Sequence, residues 1–168
     1  LDEEAGFNFI SEEHAEILKN ANVFRGDVIF THAGNIENIA YIPENSKNER
    51  YVASQRQFYM RCDLNQVLPS WIVYYFKSHE GKHKLTANSS SVGVPSIAQP
   101  VSYLRKVEIP VPPLSEQHAI VGILNTLGDK IELNRRMNRT LESMARAVFR
   151  EMMNEDSGEE TTVGEVVT

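Results

Sequence analysis

The chain has 168 residues, 41% of them hydrophobic, and a net charge of −6. That is enough for one domain of ordinary size with an appendage, whereas its longest aromatic-aliphatic run, residues 71–76, is far too short to cross a bilayer, and a lone Cys62 excludes an internal disulfide and points to a reducing, cytoplasmic setting. Residues 1–23 carry net −5, 24–113 net +3, 114–150 net +2 and 151–168 net −6, so a mildly basic body lies between two acidic ends, which permits nucleic-acid binding without requiring it.

Residues 11–20 read as a short helix, with Ser11 as N-cap, Glu12 and Glu13 in the first turn, and Ile17 and Leu18 facing inward. Residues 23–31 read as a strand pair around the turn Arg25-Gly26-Asp27. Ala33-Gly34-Asn35 is a second turn, residues 36–42 a strand ended by Pro43, and 44–50 a polar loop. Residues 51–61 alternate as a half-buried strand, with Val52, Phe58 and Met60 apolar and Gln55, Arg56 and Gln57 polar. Residues 68–78 form a helix with Pro69 in its first turn, which 79–85 extend after Gly81. A Ser/Asn/Gly loop at 87–93 and a last strand at 103–111 complete the body. The expected class is α+β with mixed strand pairing, followed by a long C-terminal coiled-coil helix.

That helix is expected over residues 115–153. Counting in alternating steps of three and four from Gln117 gives Ile120, Leu124, Leu127, Ile131, Asn134, Asn138, Leu141, Ala145, Val148 and Met152. This is the a/d seam of a coiled coil over five heptads. Asn134 and Asn138 in mid-seam would fix register and orientation at a cost in stability. Val121, Ile123, Met137, Met144 and Phe149 widen the stripe beyond what a two-stranded seam needs, and Glu132–Arg136 and Glu142–Arg146 are favourable i,i+4 pairs.

Several residues carry candidate chemistry. Asp63, Glu80 and Lys82 imitate the two-acid-and-lysine set of metal-dependent nucleases, although Glu80-Gly81-Lys82 falls at a helix end rather than on a strand. His79 and His83 lack the third ligand that a zinc site wants, and Cys62 reads as a buried structural thiol. Asn88, Ser89, Ser90, Ser91 and Gly93 place short hydroxyl and amide groups on a loop suited to phosphate oxygens and base edges, and Lys77, Lys82, His83 and Lys84 precede it as phosphate seats. Thr31, His32 and Asn35 leave a strand in a comparable loop, and Gln55, Arg56 and Gln57 add further polar groups. Neither a metal site nor a cofactor is expected.

The run Ile109-Pro110-Val111-Pro112-Pro113-Leu114-Ser115-Glu116-Gln117, then Ile120-Val121, then Ile131-Glu132-Leu133-Asn134-Arg135-Arg136-Met137-Asn138, resembles the DNA-specificity subunit of type I restriction-modification systems. It is similar to that family's passage from a target-recognition domain into its long helix. Gly26-Asp27-Val28-Ile29-Phe30-Thr31 with Gly34, Ser54-Gln55 and the Ser/Gly loop before Ile97 fall in the expected order, so that the resemblance covers residues 7–153. It implies a target-recognition domain over 1–113, a spacer helix over 114–153, and an acidic linker over 154–168 in which Thr162-Val163-Gly164-Glu165-Val166-Val167 resembles the opening strand of a next recognition domain. The chain begins with Leu, so either an excised piece of a two-domain subunit or a half-length one is expected, its recognition domain incomplete at the N-terminal side.

The resemblance also implies a non-catalytic subunit that reads one half of a bipartite double-stranded DNA site and docks methyltransferase and restriction subunits, with helices pairing to set the gap between half-sites. One long helix per chain predicts a homodimer. Two other readings stay open: a metal-dependent nuclease using Asp63, Glu80 and Lys82, and an assembly module whose helix recruits a partner without touching DNA.

Overall fold

The computed structural model describes residues 8–90 and 93–155; residues 1–7, Ser91, Val92 and the strand expected at 162–167 lie outside the described residues. Helix α1 (Glu12–Ile17) starts where the Ser11 hydroxyl accepts the His14 N–H at 3.2 Å, with Glu12 and Glu13 in its first turn. It is shorter than expected and passes into a 3-10 turn at Lys19–Ala21. Ala15 is its buried residue, whereas Ile17 and Leu18 are exposed. Arg50 reaches Glu12 at 2.7 Å and Glu16 at 2.8 Å, which brings the Ala15 side of the helix onto the body and turns Ile17 outward.

Strands β1 (Asn22–Phe24) and β2 (Val28–Thr31) flank the turn at Arg25-Gly26-Asp27 but do not pair with each other. β1 pairs with β4 (Arg50–Val52), and β2 lies between β3 (Ile39–Tyr41) and β5 (Gln57–Met60), all antiparallel. The turn explains the departure from a hairpin. Gly26, at φ +84°, donates its N–H to the Ile42 carbonyl at 2.8 Å. The buried Asp27 carboxylate accepts the Phe24 N–H at 2.9 Å and Arg61 Nε at 3.0 Å, which sends the two strands into different sheets. The strand expected over 36–42 is correspondingly short. The one expected over 51–61 splits into β4 and β5 at a turn where Gln57 N–H donates to the Ser54 carbonyl and its Oε1 accepts the Ser54 N–H, each at 2.9 Å.

Helix α2 (Pro69–Lys77) buries Ile72, Val73, Tyr75 and Phe76. Ser78 ends it and, through its hydroxyl on Gly81 N–H, caps a separate helix α3 (His79–Thr86). A Cβ at Gly81 would stand 2.0 Å from the Tyr75 carbonyl oxygen, so only glycine lets α3 fold back this closely on α2. The loop after α3 contains a small ladder, β6 (Ser89–Ser90) with β7 (Ser96–Ile97). The strand expected over 103–111 is absent. Helix α4 (Pro100–Leu104) occupies its start, and residues 105–113 run irregularly with Val107 and Ile109 packed on the core. Alternate burial without a ladder partner produced the strand-like pattern there.

β2 has apolar neighbours on both faces, as its Val-Ile-Phe run requires. Val28 and Phe30 join Ile36, Ile39, the inner face of α2, Leu85 and Ile97 in the main core, while Ile29 packs on the other side with Val23 and Ile42. Phe30 stacks on Phe58 at 5.2 Å and meets Phe76 edge-on at 5.5 Å.

Helix α5 (Leu114–Glu155) spans 42 residues, about 63 Å at 1.5 Å per residue. By its internal contacts the chain divides into two compact units within α5, 1–122 and 123–168. The reason lies at Gln117, which is 0% exposed. Its Nε2 donates to the Gln66 and Pro112 carbonyls, both at 2.8 Å, and its Oε1 accepts the Leu68 N–H at 2.9 Å. Val121, one turn on, is also buried. In the second unit Leu127, Ile131, Leu141, Val148 and Met152 are each more than half exposed, as are Ile123, Met137, Met144 and Phe149. Arg136 and Arg146 pair with Glu132 and Glu142 as expected. Among the described residues no helix is long and apolar enough to cross a membrane.

Candidate nucleic-acid interface

Three turns meet beyond the end of β2. His32 N–H donates to the Arg56 carbonyl at 2.8 Å and His32 Nε2 to the Gln55 carbonyl at 3.0 Å, joining the first turn to the second. Gly34 N–H donates to the Pro95 carbonyl and Ile97 N–H to the His32 carbonyl, both at 2.9 Å, while Ala33 bridges Ser96; the β6–β7 hairpin is thereby fastened to the same end of β2. Gly34 (φ +89°) and Gly93 (φ +77°) sit at the tips with open space where a Cβ would be.

Of the residues singled out from sequence, this arrangement brings together Thr31, His32, Asn35, Gln55, Arg56, Gln57, Ser89, Ser90 and Gly93. Asn35, Gln55, Arg56, Gln57, Ser90 and Gly93 are exposed there. Gln57 spends its carbonyl oxygen on its own turn and Ser89 its hydroxyl on the Thr86 carbonyl at 2.7 Å. Asn88 Nδ2 donates to the Ala98 carbonyl at 3.0 Å and closes the base of the hairpin. Ser91 lies outside the described residues.

The basic residues divide. Lys82 reaches the edge of the cluster, where its ammonium pairs with Glu37 at 3.1 Å, and Glu37 is a residue that the sequence reading missed. Two positions on a helix point to nearly opposite sides, so Lys84 faces away: its Nζ bonds Glu80 at 3.0 Å and the Glu108 carbonyl at 2.9 Å, over the Tyr75 ring. Its hydrogen bonds to Tyr75 and Glu80 hold its pKa above the ordinary lysine value. Lys77 and His83 are exposed on α2 and α3 rather than in the turns. Pro95 and Ser96, which fasten the hairpin, carried no sequence signal beyond a proline two residues after Gly93.

The nuclease-like residues serve three separate local structures. Asp63 closes a turn through Gln66 and Asn65, bonds that pull its pKa down. Glu80 is held by Lys84 and Tyr75, which lower its pKa likewise, and Lys82 is held by Glu37. Among the described residues no three His, Cys, Asp or Glu side chains stand where they could share a metal ion. Cys62 is half-buried, and burial pushes its thiol pKa up, away from nucleophilic use.

A family model described as the type I restriction modification DNA specificity domain matches residues 4–143. The chain is 29% identical over 128 residues to the type I restriction enzyme HindI specificity subunit of Haemophilus influenzae, covering 75% of this chain and 27% of that protein. It is 22% identical over 173 aligned positions to the putative type I restriction enzyme MjaX specificity subunit of Methanocaldococcus jannaschii, covering 94% of this chain and 38% of the relative. Its fold is similar to the HsdS subunit from Thermoanaerobacter tengcongensis, with TM-score 0.52, 20% identity, and 84% of this chain on 37% of that one. A second structure, described by complex assembly and conformational transition of the type I R-M system, matches at TM-score 0.58 and 21% identity, with 85% of this chain on 37% of the other.

Proposed function

The chain belongs to the type I restriction modification DNA specificity domain family, and we propose that it is the recognition element for one half of a bipartite double-stranded DNA site in a type I restriction-modification complex. The observation that carries this reading is the convergence of three polar turns beyond the end of β2, held by main-chain bonds that leave Asn35, Gln55, Arg56 and Ser90 exposed. Amide and guanidinium groups on such tips suit base edges and phosphates. The chain performs no chemistry of its own and docks methyltransferase and restriction subunits in the cytoplasm. Two copies pair through the a/d stripe of α5, a proposal supported by the exposure of Leu127, Ile131, Leu141, Val148 and Met152 in the single chain.

The test is selection from a randomised duplex library with Mg²⁺ present and strand integrity followed on a gel. Enrichment of a short motif on intact strands, with affinity falling steeply as salt rises, is the expected outcome. Cleaved strands, or no enrichment with or without the methyltransferase subunit, would overturn the proposal.

A further inference from the structure

Four described residues have left-handed backbone: Gly26, Gly34, Gly93 and Gln99. Three are glycines, for which that conformation carries no steric penalty. Gln99 adopts φ 46° and ψ 57° although it bears a side chain and precedes Pro100, a placement that normally forces the residue into extended backbone. A glycine would route the chain from β7 into α4 more easily, so the long amide side chain here comes with a backbone cost.

What it lines is specific. Gln99 borders an open recess of about 190 Å³, where Asn88, Ser102 and Lys106 stand beside Ala98 and Tyr103. The Gln99 side chain is exposed and its amide bonds to no described residue. The recess lies at the base of the β6–β7 hairpin, where Asn88 and Ala98 exchange hydrogen bonds. A carboxamide offers one acceptor and two donors in a plane, the complement of the N7 acceptor and N6 donor that adenine presents in the major groove. The exposed ammonium of Lys106, in the turn that follows α4, supplies the charge for a flanking phosphate.

We infer that Gln99 reads an adenine edge, with Lys106 on the adjoining phosphate; this rests on the DNA-recognition reading and adds a position that the loop chemistry alone did not indicate. Library selection with the full chain, Gln99→Gly and Lys106→Ala tests it. Gln99→Gly relieves the backbone and should melt no lower than the parent, yet lose preference for adenine at one motif position by on the order of tenfold or more while keeping the rest of the motif. Lys106→Ala should weaken all sequences alike and make the salt dependence shallower. If parent and Gln99→Gly enrich the same motif with the same adenine preference, the inference falls and the DNA reading stands. If the parent enriches no motif, both fall. If Gln99→Gly melts markedly lower, the left-handed backbone is not strained as argued, and the inference falls unless Gln99→Ala, which keeps the same backbone requirement, still loses the adenine preference selectively.

Discussion

Replacing Gln117 tests how the first turns of α5 are held. The side chain is 0% exposed and makes three bonds between 2.8 and 2.9 Å, to the Gln66 and Pro112 carbonyls and from the Leu68 N–H. Gln117→Ala orphans one buried donor and two acceptors and leaves a cavity. At about 1–3 kcal/mol for a buried group left unpaired, with carbonyls at the low end, the loss is about 4 kcal/mol. That is a large fraction of the roughly 5–15 kcal/mol by which such domains are stable. With an m-value of about 2 kcal/mol/M, the urea midpoint should drop by about 2 M at unchanged slope. Gln117→Glu adds a sharper signature. Its carboxylate would face two carbonyl oxygens with no proton to offer, so burial and repulsion raise its pKa in the folded state. A raised folded pKa means that stability is retained at acid pH and lost as pH rises through that value. The Glu variant should therefore approach the parent at acid pH and fall away from it towards neutrality. A loss below about 1 kcal/mol for Gln117→Ala, or a pH-independent deficit for Gln117→Glu, would refute the claim that this amide holds the first turns of α5 to the body.

Three further outcomes are expected. Gly81→Ala forces a Cβ to 2.0 Å from the Tyr75 carbonyl and 2.6 Å from Phe76 Cα; because backbone must move, it should cost about 3 kcal/mol in the same urea experiment, whereas Gly34→Ala, where space is open, should cost only the strain of its positive φ. Asp63 has its pKa lowered by Gln66 and Asn65, and Glu80 by Lys84 and Tyr75; a lowered folded pKa gives stability that is present above the ordinary carboxylate value and lost as pH falls through the folded one, so NMR titration should place both midpoints below those of free carboxylates, and Asp63→Asn should flatten the acid limb of the stability profile. Leu141→Glu should convert a dimer to a monomer in sedimentation at micromolar protein, since a two-fold pair loses two buried leucines, about 4 kcal/mol or roughly a thousandfold in Kd; an unchanged mass would remove the seam from the pairing proposal.

Local signals were the legible ones. Ser11 caps α1, Pro69 opens α2, and the apolar stripe marks α5 within two residues at either end, because each depends on neighbours within a few positions. Pairing partners were not legible. Arg25-Gly26-Asp27 carries a hairpin signal, yet Gly26 bonds Ile42 and Asp27 binds Arg61, contacts 16 and 34 residues distant that no local pattern discloses. Val107 and Ile109 imitate a strand because packing on a core imposes alternation with or without a ladder. Gln117 read as the first seam position, and only the three-dimensional positions of Gln66, Leu68 and Pro112 show that it is a polar anchor. For the interface, residue chemistry indicated the turns but not their meeting, which Pro95 and Ser96 bring about through main-chain atoms. It also put Lys84 among them, although a helix turns that side chain away from Lys82.

The ties between the turns have a consequence for how such a molecule changes over generations. Arg56, Pro95 and His32 contribute their carbonyls, and His32, Gly34 and Ile97 their amides, to the bonds that bring the tips together. Those groups exist whatever side chain is present. Substitution at Asn35, Gln55 or Arg56 therefore leaves the scaffold's fastening in place, and drift at these tips is uncoupled from folding. A lineage, or a laboratory library, is free to explore new side chains at these three positions without first solving the stability problem again.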